Sequence, residues 1–213
     1  MAAYDDLALL DPVLGKLIER YGRPDPFHFS PILDRVGDDH FRSLLLQITS
    51  QQISTAAAWA IFDRIAAALD GMPTPRAVLA LGADRLRELG LSHAKALAAL
   101  DLADAMETGR VDLDHLPEDD EAAIALLSTI RGIGRWSAQL YLILKFHRAD
   151  ILPAGDLGIR HAVQALWELP ETPTIKAVET RGLAWAPYRT YAAFLLWTAL
   201  ADLPRRPRSA TTR

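Results

Sequence analysis

The stretch Leu127-Ser128-Thr129-Ile130-Arg131-Gly132-Ile133-Gly134-Arg135-Trp136-Ser137-Ala138 leaves the chain few options. An apolar helix must stop near Gly132, turn tightly and start again just after Gly134. Paired glycines at that spacing permit such a turn, and they carry backbone N–H groups outward at the start of the second helix. The helix dipole favours an anion there, and a phosphate is the obvious one. Further on, past a second apolar helix, Gly155-Asp156 sets a carboxylate beyond a short loop. Together these read as a device that holds a nucleic-acid backbone and does chemistry beside it. A Gly-x-Gly turn by itself marks no more than a change of direction, so a purely structural helical hairpin stays open on these residues.

The rest of the chain reads as helix after helix. Asp11-Pro12 is a cap followed by proline at the first helical position, opening a helix that Gly22 ends. A Pro-rich loop with Phe27 and Phe29 follows. From Asp38, apolar residues recur at helical spacing through Phe41, Leu44, Leu45 and Ile48. The polar junction Thr49-Ser50-Gln51-Gln52 interrupts before a helix from Ser54 to Leu69, closed by Gly71. Thr74-Pro75 caps another short helix, and Ser92 caps one from His93 to Met106. The acidic run Glu118-Asp119-Asp120-Glu121 complements the N-terminus of the helix that leads to the hairpin. Later helices are expected over Trp136 to Phe146, Asp156 to Trp167, Thr174 to Gly182 and Pro187 to Ala201. No alternating run calls for a strand, so the expected fold class is all-α.

Composition sets the limits of function. Of the 213 residues, 50% are hydrophobic and 23% charged, which is the balance of a globular protein. No apolar run approaches the roughly 18–20 residues of a membrane span, and no apolar signal segment follows Met1, so export is not expected. With 0 cysteines there can be no disulfide, iron–sulfur cluster or thiolate metal site. The 6 histidines show no ligand spacing, and no metal site is expected. Neither a serine nucleophile elbow nor a phosphate-binding P-loop is present. A net charge of −4 argues against nonspecific coating of nucleic acid but leaves local gripping by amides and a few arginines. Arg205, Arg206, Arg208 and Arg213 make a basic C-terminal cluster that reads as a solubilising tail.

Several residues admit two readings. Asp156 precedes a helix and is first of all an N-cap, a role compatible with catalysis because a capping carboxylate is held rigid and ionised. Arg160, one turn on, is placed for an ion pair with it. Trp136, Trp185 and Trp197 read as core aromatics, yet Trp136 sits on the first turn beyond the hairpin, where stacking on a base is the better use. Gln51-Gln52-Ile53 reads as a loop surface or as a wedge that replaces an extruded base.

Five segments in order carry a wider resemblance: Ser50-Gln51-Gln52-Ile53-Ser54, Gly90-Leu91-Ser92-His93-Ala94-Lys95-Ala96, Gly132 to Trp136, Asp156, and Trp185-Ala186-Pro187-Tyr188-Arg189-Thr190-Tyr191-Ala192. With Asp11-Pro12 and its helix, they make the chain resemble the helix–hairpin–helix DNA glycosylase superfamily over nearly its whole length, in particular the bacterial 3-methyladenine DNA glycosylase II group. The resemblance implies two helical subdomains with the active site in the cleft between them. Residues 1–37 would pack with the C-terminal subdomain, 38–148 would form the central subdomain with the hairpin, and 149–213 the C-terminal subdomain and basic tail. Asp156 would be the catalytic carboxylate. Trp136, Trp197, Leu140 and Leu157 would line the base pocket, with Leu140 standing where a relative carries tyrosine and Tyr141 pointing about 100° away around the helix. DNA would be held by Gly132, Ile133, Gly134, Arg135, Gln51, Gln52 and Ser54, with Gln52 as the wedge.

Lyase members of the family carry a lysine at the position of Trp136, which forms a Schiff base with the sugar. Tryptophan cannot, so the resemblance implies a monofunctional hydrolase that excises alkylated purines and leaves an abasic site. A noncatalytic damage-binding module with the same hairpin is the competing expectation. No cofactor is expected, with at most a structural monovalent cation at the carbonyls of the Gly132–Gly134 turn. The expected partner is duplex DNA containing damaged bases, bound by a monomer in the cytoplasm, at the nucleoid in a bacterium.

Overall fold

A computed structural model of the chain describes residues 2–27 and 35–203; Phe29 of the aromatic loop and the basic cluster from Arg205 onward lie outside the described residues. Every regular element among them is helical: α1 (Ala2–Leu10), α2 (Pro12–Tyr21), α3 (His40–Ser50), α4 (Thr55–Ala68), α5 (Pro75–Glu88), α6 (His93–Glu107), α7 (Asp120–Leu127), α8 (Arg135–Phe146), α9 (Leu157–Leu166), α10 (Ile175–Gly182), a 3₁₀ turn (Leu183–Trp185) and α11 (Arg189–Leu200). The apolar segment from Asp150 to Pro153 forms no strand. The chain divides into two compact units, Met1–Pro26 with Ala149–Arg213, and Phe27–Arg148.

Each unit is built around one helix that is apolar on nearly all sides, the pattern that only a central position satisfies. In the Phe27–Arg148 unit this is α3, where Phe41, Leu44, Leu45, Leu46 and Ile48 are all buried. Helices α4, α6 and α8 pack on it. In the other unit it is α11, buried continuously from Ala192 to Leu196 and packed by α1, α2 and α9. Each fully buried leucine contributes about 1.5–3 kcal/mol.

Helix α1 is absent from the expected elements, and its N-terminus carries no capping signal. Its first residues are acidic on one side only; Ala3, Tyr4 and Leu7 form the buried face. The Tyr4 ring meets Tyr191 edge-on, with centroids 5.3 Å apart. The expected opening helix at Pro12 is thus the second. A further difference lies in α5, which breaks at Gly82 (φ 72°, ψ 171°) into two short stretches. Only glycine reaches that backbone conformation without strain.

Tyr141 is buried as its position on α8 demands, with its hydroxyl 2.7 Å from His40 Nδ1. Burial pushes its phenol well above the ordinary tyrosine range. It therefore belongs to the interior of its unit, and Leu140 beside it is half-buried.

Asp11 joins two elements distant in sequence. One carboxylate oxygen caps α2 by accepting the Val13 N–H at 3.0 Å, and the other accepts the indole N–H of the fully buried Trp185 at 3.0 Å. Asp11→Ala removes a cap worth about 1 kcal/mol and strands an indole donor at about 1–3 kcal/mol. A loss of roughly 2–3 kcal/mol in chemical denaturation is expected, against less than half that for the exposed cap Ser54→Ala.

Candidate functional site

The predicted site residues fall into two groups, one in each unit. The Phe27–Arg148 unit holds the hairpin, Trp136, Leu140, Gln51, Gln52 and Ser54, and the other holds Asp156, Leu157 and Trp197.

The hairpin is built as its residues suggest. After α7 the chain tightens through hydrogen bonds from Ser128 N to Ile124 O and from Ile130 N to Leu127 O, then turns. Gly132 takes φ +79°, and a methyl there would lie 2.9 Å from Ala98 Cβ, so two separate constraints call for glycine. Ile133 is 3% exposed and plugs the turn into the core, while Gly132 and Gly134 lie exposed on either side. Gly134 is the N-cap of α8 and supplies no side-chain cap. A glycine cap leaves the opening amides of α8 without the side-chain oxygen that serves most other helix starts here. Trp136, on that first turn, is 41% exposed. Arg135 points its guanidinium at Glu121, with both N···O distances 2.6 Å.

Three side chains outside the expected site residues brace this turn and the neighbouring Gln51 junction. Asp101 accepts the Arg131 N–H at 2.7 Å, and Arg110 bridges Asp101 Oδ1 (2.7 Å) to the Thr129 carbonyl (3.3 Å). Lys95 donates to the carbonyls of Thr49 and Gln51 at 2.8 and 2.6 Å, and burial holds its ammonium below the ordinary lysine range. Gln51, an expected DNA contact, donates its amide to the Gly132 carbonyl at 2.9 Å. Ser54 caps α4 through the Ala57 N–H. Gln52 is exposed and stands at φ +60°, a left-handed conformation that costs a non-glycine residue about 1–3 kcal/mol and that clusters at functional sites.

The Gly132, Thr129 and Ile130 oxygens already accept from Gln51, Arg110 and the Ile133 N–H. Among the described residues there is no cluster of His, Asp and Glu that could hold a metal ion, and no helix is long and apolar enough to cross a membrane.

In the other unit, Asp156 is the N-cap of α9, with Oδ1 accepting the Ile159 N–H at 2.9 Å. The same oxygen accepts the indole N–H of Trp197 at 3.2 Å, so Trp197 orients the carboxylate as well as offering an aromatic face. Gly158 makes this possible, since a methyl there would fall 2.9 Å from Asp156 Oδ1 and 2.8 Å from Leu200 Cδ2. The approach to Asp156 is fixed from behind: Arg189 clamps Asp150 through two bonds of 2.7 and 2.8 Å, and Thr190 Oγ1 accepts the Ile151 N–H at 3.0 Å. Leu157, next to the carboxylate, is 56% exposed. Arg160, one turn on, donates Nε to the Pro173 carbonyl at 2.8 Å.

Capping and chemistry can be separated at Asp156. Asparagine caps as well as aspartate, whereas alanine does not. Asp156→Asn is expected to stay within about 0.5 kcal/mol of the parent in thermal or urea denaturation, and Asp156→Ala to lose about 1 kcal/mol.

Residues 46–187 match the family described as "HhH-GPD superfamily base excision DNA repair protein". DNA-3-methyladenine glycosylase 1 of Schizosaccharomyces pombe is 34% identical over 176 residues, spanning 79% of this chain and 77% of that protein. The structure of the S. pombe 3-methyladenine DNA glycosylase in complex with abasic DNA superposes with a TM-score of 0.78 at 30% identity, covering 96% of this chain and 100% of that one. A DNA-3-methyladenine glycosidase from Bacillus halodurans superposes with a TM-score of 0.79 at 28% identity, covering 94% and 89%. By sequence match and fold alike, the chain belongs to the HhH-GPD superfamily of base excision DNA repair proteins.

Proposed function

We propose that this protein is a monofunctional DNA glycosylase that hydrolyses the N-glycosidic bond of alkylated purines of the 3-methyladenine kind in duplex DNA. The observation that carries the reading is Asp156 Oδ1 held by the Ile159 N–H and the Trp197 indole, in a chain similar to proteins named for that activity. Work on chromosomal DNA would place the protein in whichever compartment holds that DNA.

An alkylated purine carries positive charge, so it leaves as a neutral base when the bond to C1′ breaks and the bonding electrons go with it. The sugar is left with oxocarbenium character. A carboxylate already fixed by two donors stabilises that cation without reorganising. Water attacks C1′, and the proton it sheds passes to Asp156 or to solvent. Trp136 offers an exposed aromatic face for the electron-poor base, a cation–π contribution of about 0.5–2 kcal/mol that selects only modestly among lesions. Gln52 is read as the wedge in the emptied base step, and the α8 N-terminus at Gly134 as the grip on phosphate.

Water is the nucleophile in this reading because no amine replaces it. Trp136 stands where lyases carry lysine. Lys95, the lysine whose proton affinity is lowered by burial, directs its ammonium at the Thr49 and Gln51 carbonyls.

Single-turnover release of 3-methyladenine from methylated duplex DNA tests the proposal. Parent protein should release base with no adduct trapped by borohydride, and Asp156→Asn should be slower by about 10²–10³-fold. Tight duplex binding without release would turn the assignment to a damage-binding module. Release by Asp156→Asn at the parent rate would remove the carboxylate from the chemistry.

A further inference from the structure

Helix α6 presents Lys95, Ala98 and Asp101 at intervals of three, so they share one stripe of its surface. Each meets a different part of the candidate DNA-binding surface within the same unit. Asp101 accepts the Arg131 N–H, and Ala98 Cβ lies where any side chain on Gly132 would have to go. Lys95 takes the carbonyls of Thr49 and Gln51, at the end of α3 where backbone oxygens run out of helical partners. Gln51 then reaches from that clamped backbone to the Gly132 carbonyl. The next residue, Gln52, is exposed and held at positive φ. The turn that carries it is thus tied to helix α6 and to the hairpin through hydrogen bonds that the Lys95 and Gln51 side chains donate to backbone carbonyls.

We propose that Lys95 and Gln51 are positioning residues for base extrusion, setting the Gln52 turn at a fixed offset from the phosphate-gripping hairpin so that seating one drives the other into the duplex. The proposal rests on the reading of Gln52 as the wedge. Neither residue needs to touch the reacting atoms. Asp101 and Ala98 hold the hairpin without them, so phosphate binding survives their loss while extrusion does not. Lys95 is suited to the task because its ammonium carries three donors and meets both carbonyls in charge-assisted bonds.

The test compares Lys95→Met, Gln51→Met and Gln52→Ala with the full-length parent. Three readouts are needed: affinity for undamaged duplex, fluorescence of 2-aminopurine placed beside a lesion, and single-turnover base release. Lys95→Met is expected to bind undamaged duplex within about twofold of the parent, and both Lys95→Met and Gln51→Met to lose most of the fluorescence rise and at least tenfold in release. The double variant should be no worse than the poorer single one, as for two members of one link. Gln51→Met removes a half-exposed side chain and carries the test if Lys95→Met does not fold. Full fluorescence and full release in a folded Lys95→Met or Gln51→Met, with Gln52→Ala impaired, overturns this proposal and leaves the wedge. Full activity in Gln52→Ala removes the wedge reading and this proposal with it. A melting temperature lowered alone, with extrusion intact, assigns Lys95 to structure and also overturns it.

Discussion

An α-helix begins with amides that its own backbone cannot satisfy, and a protein made only of helices meets that problem at every element. Here aspartate, serine and threonine answer it repeatedly, at Asp11, Asp39, Ser54, Thr74, Ser92, Asp119, Asp156 and Thr174. Among the described α-helices with a defined N-cap, two starts lack a side-chain cap, those at Gly134 and Tyr188. The second is served from the loop between α8 and α9, with Asp150 accepting the Arg189 N–H and the Ala149 carbonyl accepting the Thr190 N–H. At Gly134 the place of the capping oxygen suits an oxygen from outside the protein, and a phosphate offers one. The candidate grip is the point where the rule that organises the fold is suspended.

The two capping aspartates that also receive an indole show how one device serves two ends. Asp11 spends one oxygen on its helix and the other on Trp185, deep in its unit. Asp156 gathers its helix amide and Trp197 on the same oxygen, beside the exposed Leu157. Gly158 is the enabling residue, because a side chain of any size there would press on that oxygen. The two caps differ in which oxygen receives the indole, the second one at Asp11 and the capping one at Asp156, not in residue type or local pattern.

What could be read from the amino-acid sequence followed range. Capping residues lie next to what they cap, so the starts at Asp11, Ser54, Ser92, Asp156 and Thr174 were legible, as were the Gly132–Gly134 turn and the inward Ile133. Helix α1 was not, because no capping residue type opens it in the sequence and its Tyr4 and Leu7 pack in a core drawn from far along the chain. The break at Gly82 hid because a lone glycine inside a helical pattern is usually tolerated. At the site, the Trp197–Asp156 and Lys95–Thr49 bonds join residues about 40 or more positions apart, and no local spacing encodes them. The Gln51 bond is of the same kind: its amide answers a carbonyl on a distant turn, which no local spacing encodes.

The ion pair between Arg135 and Glu121 bears on how such a protein moves over DNA. An arginine that already owns a carboxylate counter-ion must give it up to take a phosphate, and the abandoned Glu121 then recruits a cation of its own. The exchange returns to solution fewer small ions than a bare arginine would, so the affinity falls less steeply with ionic strength than a count of nearby arginines implies. With a net charge of −4 on the whole chain, the grip proposed at Gly134 would draw on backbone amides more than on fixed charge. Such a grip favours brief inspection of many sites over lingering at any one.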